Sequence, residues 1–123
     1  MTRNALILLT TSLLAGTAGT PASAHPKLQL SDPAAGATVN AAVSVITMSF
    51  SEAVVQKFSG ISVQNDAKQS APVLSTSVDA NDKKKLVVRL KSPLKPGNYE
   101  VQWHAVAADT HRVEGHFSFV VSQ

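Results

Sequence analysis

The stretch YEVQWHA, residues 99–105, alternates without a break. Tyr99, Val101, Trp103 and Ala105 fall on one face of an extended chain; Glu100, Gln102 and His104 fall on the other. A period of two, with the bulky apolar side chains on one side, describes a strand with one face buried and one in water. The same reading extends outward. GHFSFVV (115–121) sets Phe117, Phe119 and Val121 inward. KLVVRL (85–90) sets Leu86, Val88 and Leu90 inward and Arg89 outward, and SVITMSF (44–50) aligns Ile46, Met48 and Phe50. Ile61 and Val63 mark a shorter strand after Gly60.

Turn signals separate these runs: Ser31-Asp32-Pro33, Ala35-Gly36 and Pro93-Leu94-Lys95-Pro96-Gly97-Asn98. QNDAKQSAP (64–72) is polar and reads as a loop, with Pro72 confining any strand there to a sheet edge. No run reads as a long helix. Short strands punctuated by turns predict an all-β sandwich or barrel of about seven strands. Its core should contain Met48, Phe50, Leu86, Val88, Tyr99, Val101, Trp103, Phe117 and Phe119.

The first 24 residues have a different character. Arg3 precedes the apolar run ALILLTTSLLAGTAGT, and Ala22-Ser23-Ala24 has the small-x-small form of a signal-peptidase site. The run is short and broken by Thr, Ser and Gly, which disfavours the alternative of an uncleaved membrane anchor. Residues 1–24 are therefore expected to be a cleaved secretion signal. Residues 25–123 form one domain, not embedded in the membrane after processing. The chain contains no cysteine, so an exported domain of this size must be held by packing. The net charge of +3 includes Arg3, and the processed domain carries about +2. Its single basic run, Lys83-Lys84-Lys85, follows the turn-like Asp79-Ala80-Asn81-Asp82 and lacks interleaved aromatics, which fits a solvated hairpin end rather than a nucleic-acid surface.

Cleavage after Ala24 would make His25 the first residue, with its imidazole beside a new α-amine. Amine and ring nitrogen together form a chelate, which a metal enters by displacing a proton. Pro26 has no N–H, so the usual route of deprotonating the next amide is closed and further ligands must come from the fold. His111 and Asp109, in the triplet Asp109-Thr110-His111 between two strands, can supply an imidazole and a carboxylate. A sulfur-free set of nitrogen and oxygen donors suits Cu(II), which also leads the Irving–Williams order. Zinc is the competitor, since it accepts the same ligands in tetrahedral geometry. His104 and His116 lie on outward faces and read as surface residues. Glu52, just past a strand, reads either as an outer or weak axial partner of the metal or as a plain exposed carboxylate. Met48 alternates with core residues and Met1 belongs to the leader, leaving no thioether cluster for Cu(I).

These residues carry a resemblance. His25-Pro26 after the leader, Phe50-Ser51-Glu52, Lys57-Phe58-Ser59-Gly60, and the run from Pro96 to His111 followed by Gly115 and Phe119 are similar to the CopC family of periplasmic copper-resistance proteins. The resemblance spans essentially all of residues 25–123. It implies a Greek-key β-sandwich, close to immunoglobulin and cupredoxin folds. It implies one Cu(II) per chain, bound by the amine and ring of His25 with Asp109 and His111, and it matches Glu52 to a carboxylate near the metal in some relatives. It also implies a separate inner-membrane partner of the CopD type. Some relatives carry a methionine-rich Cu(I) loop between the positions of Ser62 and Val73; this chain has none there.

The leading functional expectation is therefore a copper carrier or buffer, not an enzyme. The alternative is a copper-dependent oxidative enzyme of the histidine-brace type, similar to lytic polysaccharide monooxygenases. Against it stand the short chain, the inward placement of its one Trp and one Tyr, and an anionic Asp109, which would favour Cu(II) over Cu(I). A structural module without metal is the third expectation.

Overall fold

The structure is a computed structural model that describes Gly16 and residues 25–122. Apart from Gly16, the leader and its cleavage site lie outside the described residues. Eight strands follow in order: β1 (Leu28–Asp32), β2 (Thr38–Val39), β3 (Val43–Phe50), β4 (Gly60–Asn65), β5 (Val73–Asp79), β6 (Asp82–Leu94), β7 (Gly97–Val106) and β8 (Arg112–Val121). One 3-10 turn, Gln56–Phe58, interrupts the connection from β3 to β4. Among the described residues no helix is long and apolar enough to cross a membrane.

The strands form two four-stranded sheets, ordered β1-β3-β6-β5 and β2-β8-β7-β4. Among the described residues only the short β2–β8 pairing is parallel. The connections β3–β4 and β6–β7 cross between the sheets, while β5–β6 and β7–β8 stay within one. This is the Greek-key wiring of an immunoglobulin-type sandwich. The sheets face each other without closing, so of the two expected architectures the sandwich is the one formed.

The strands with clear alternation form where the sequence places them. β1, β2 and β5 were not read from it, because they lie at sheet margins and lack one apolar face. Leu30 in β1 and Leu74 in β5 are exposed, and β2 has only two residues. β5 begins directly after Pro72 and is an edge strand, as that proline requires. The expected loop 64–72 is shorter than read, because Gln64 and Asn65 belong to β4.

All nine residues expected in the core are buried. Their partners on alternate positions, His116 and Ser118, are exposed, so the register is the expected one. The Tyr99 hydroxyl donates to the carbonyl of Lys95 at 2.7 Å. Such a tyrosine corner lets the aromatic ring lie in the core while its polar tip is satisfied. Tyr99 stacks on Phe119 at 5.9 Å, and Phe50 meets Trp103 edge-on at 5.3 Å.

Trp103 pairs across the ladder with Gly115, and its indole lies over that glycine. A β-carbon built on Gly115 would fall 2.4 Å from Trp103 Cζ2, well inside contact distance. The ring cannot retreat far, because Phe50 blocks it. Gly115→Ala is therefore expected to destabilise the domain by about 2 kcal/mol, the usual cost of overpacking a filled core. Thermal unfolding should show a melting temperature lower by roughly 8–16 °C. An unchanged melting temperature would mean the ring is free to move.

Candidate metal centre

The β7–β8 hairpin closes through residues 107–111. The Ala107 N–H donates to the His111 carbonyl at 3.1 Å, and the Thr110 N–H donates to the Ala107 carbonyl at 2.9 Å. Thr110 has φ 72°, a left-handed conformation that is unusual for a β-branched residue. Within this turn Asp109 is held twice by residue 111. Its Oδ1 accepts the His111 N–H at 3.2 Å, and its Oδ2 lies 2.8 Å from His111 Nδ1. In the neutral imidazole that contact places the proton on Nδ1 and leaves the lone pair on Nε2 free for a ligand. The hydrogen bond from the His111 ring, then the one from its backbone N–H, holds the Asp109 carboxyl below its ordinary range. Both side chains remain open to water.

His25 reaches this pair from the other end of the sequence. Its ring centroid lies 4.6 Å from that of His111, tilted by 39°. Pro26 behind it is fully buried. The Lys27 N–H donates to Ser51 Oγ at 2.9 Å, and the Ser51 N–H donates to the Lys27 carbonyl at 2.8 Å. Leu28 then pairs with Phe50. Beyond Ser51 the chain turns under the hairpin loop: Val54 bridges Ala107, and the Val55 N–H donates to the Val106 carbonyl at 2.8 Å. Segment 51–55 thus touches both the start of the domain and the loop carrying Asp109 and His111.

The structure brings His25, Asp109 and His111 together. Among the described residues no group of three or more His, Asp or Glu side chains is arranged as a ready metal cage. What exists is a row of three side chains in which His111 meets the His25 imidazole and the Asp109 carboxylate, with donors of the type that divalent copper or zinc accepts. Glu52 lies on the 51–55 segment, exposed, and forms no ion pair or hydrogen bond with the three. His104 and His116 lie on the outer face of the second sheet, opposite Glu114 and Gln102, away from the cluster. Sequence reasoning missed Ser51 and Thr110. Neither has a chemistry that marks it, and their roles come from where the backbone bends.

Residues 28–122 match the family model described as CopC domain. The chain is 42% identical over 120 residues to protein YobA of Escherichia coli strain K12, covering 97% of this chain and 93% of YobA. It is 36% identical over 120 residues to copper resistance protein C of Escherichia coli, covering 93% and 94% of the two chains. The fold is similar to the crystal structure of PcoC, a methionine-rich copper resistance protein from Escherichia coli, with TM-score 0.72 and 34% identity over 80% of this chain and all of PcoC.

Two outcomes follow from the local geometry. Thr110→Asn places a residue that tolerates the left-handed region where a β-branched one is strained. It should raise stability by about 1 kcal/mol in thermal melts without metal. The second concerns His104. Burial, and then the positive charge of Arg112, lower its pKa from 6.5, with Glu114 opposing. The unfolded chain then binds this proton more readily than the folded one. Stability is therefore full above about pH 6.5 and falls as pH drops below it, until His104 is protonated in the fold as well. Melting temperatures of metal-free protein between pH 7.5 and pH 5 should show that decline, and His104→Gln should flatten it.

Proposed function

The chain belongs to the CopC family, and from that premise we propose that it is a periplasmic Cu(II)-binding protein, buffering or carrying copper as cargo in copper resistance or homeostasis. The observation that carries the reading is the approach of His25, once the processed N-terminus, to the Asp109–His111 pair. Signal cleavage after Ala24 converts the nitrogen of residue 25 from an amide, whose lone pair is delocalised, to an amine that can bind metal. Amine and His25 ring nitrogen form the chelate, His111 offers Nε2, and Asp109 brings negative charge. Its carboxylate oxygens have lone pairs to spare beyond the bonds to His111, so it can ligate while still orienting the ring. Glu52 is placed outside this set.

Nitrogen and oxygen donors favour Cu(II) over Cu(I). We assign no thioether site, because Met48 is sealed in the core and residues 62–73 contain no methionine. The protein is read as a carrier without catalytic activity, handing copper to a separate inner-membrane partner of the CopD type. Trp103 and Tyr99 are buried, and Phe58 is the large aromatic side chain exposed among the described residues, which offers little platform for a polysaccharide.

The test compares processed protein beginning at His25 with protein that retains Ala24. Equilibrium dialysis against Cu(II) should find the extended form at least about tenfold weaker, as should His111→Ala and His25→Ala. Affinity should also fall on acidification, because protons compete with the metal for its nitrogen ligands. Equal affinity of processed and extended protein would exclude the amine. Oxidised glycan products, formed with reductant and oxygen present, would instead indicate an enzyme.

A further inference from the structure

A chain terminus is normally frayed, because its last residues make few contacts. A terminus that must chelate a metal is then at a disadvantage, since binding has to order it first. The start of this domain is not built that way. Two residues from His25 the chain is closed by a two-way lock, with Ser51 Oγ accepting from Lys27 N–H at 2.9 Å and Ser51 N–H donating to the Lys27 carbonyl at 2.8 Å. The second bond is half of an ordinary antiparallel pair continuing β1 and β3. In the other half, the hydroxyl of Ser51 supplies the acceptor that a continuing ladder would take from its backbone carbonyl. The chain bends away at Ser51–Glu52, and the side chain closes the gap. Between lock and terminus stands Pro26, fully buried and fixed in φ by its ring. In the processed chain proposed above, residue 25 alone would extend beyond.

The same segment that carries Ser51 is tied to the hairpin loop through Val54–Ala107 and Val55–Val106. We infer that Ser51 is a positioning residue for the copper site: its hydroxyl, by holding the Lys27 N–H, aims the processed N-terminus at the Asp109–His111 pair. The inference rests on the reading of His25 as a ligand given above. Ser51 does not touch the metal. It acts through residues 26 and 27, and it holds one half of the site in register with the other.

The experiment uses processed protein beginning at His25, with Ser51→Ala and Ser51→Thr. Alanine removes the acceptor, whereas threonine keeps it and suits extended backbone. Metal-free Ser51→Ala should lose the nuclear Overhauser contacts between the His25 and His111 rings and show faster exchange of the Lys27 amide, with little change in melting temperature. Its Cu(II) affinity should fall about fivefold, the effect of one hydrogen bond. Its electron paramagnetic resonance spectrum should become a mixture in which part of the copper lacks the amine. Ser51→Thr should match the parent in every respect. A purely structural role would lower the melting temperature and leave the spectrum of the bound form unchanged, which overturns the inference. Parental affinity and spectrum in Ser51→Ala also overturn it, while leaving the copper reading in place. Parent protein that is indifferent to a retained Ala24 overturns both.

Discussion

Trp103, lying over Gly115 and edge-on to Phe50, is the contact from which the rest of the arrangement hangs. It joins both sheets: Trp103 and Gly115 belong to β7 and β8, and Phe50 ends β3. With no disulfide available, such packing is what fixes the two layers relative to each other. The contact also lies close to the site in sequence. Phe50 is followed by Ser51, and β7 and β8 run directly into the loop that carries Asp109 and His111. Moving the indole would shift the segment that holds the N-terminus against the hairpin that holds the other side chains. The close packing of an interior transmits such a shift rather than absorbing it.

The sandwich was legible where burial is one-sided. β3, β6, β7 and β8 each bury alternate side chains, so their period of two appears in the sequence, and Phe117 and Phe119 face inward as it requires. β1, β2 and β5 were not legible, because a margin strand can expose Leu30 or Leu74 and bury little. The site was legible in part. Asp109 and His111 are neighbours in sequence, and the ladder from Val106 to Arg112 forces them into one tight turn. The approach of His25 to them is tertiary. It depends on β1 pairing with β3 and on residues 51–55 crossing under the loop, and no local pattern announces either. The left-handed Thr110 is the clearest case of local preference overridden: an asparagine or glycine would be ordinary there. Strain of this kind tends to sit where side chains must be aimed.

This chain has two methionines, Met1 and Met48, whereas the relative whose fold it shares is described as methionine-rich. Thioethers select Cu(I), while an amine, imidazoles and a carboxylate select Cu(II). On the reading proposed above, this chain has only the second kind of site and holds Cu(II) until a partner takes it. The exposure of Asp109 and His111 suits that proposed role, because cargo must leave as well as enter. The depressed pKa of Asp109 favours its charged form.

The proposed copper site depends on a backbone nitrogen created by cleavage. Pulsed electron paramagnetic resonance on processed protein with one equivalent of Cu(II), carrying nitrogen-15 only at the α-nitrogen of His25, reads that atom directly. A strong coupling to the labelled nitrogen is expected, as for a directly bound amine, alongside unlabelled imidazole couplings from His25 and His111. A spectrum in which the label leaves every coupling unchanged would contradict it.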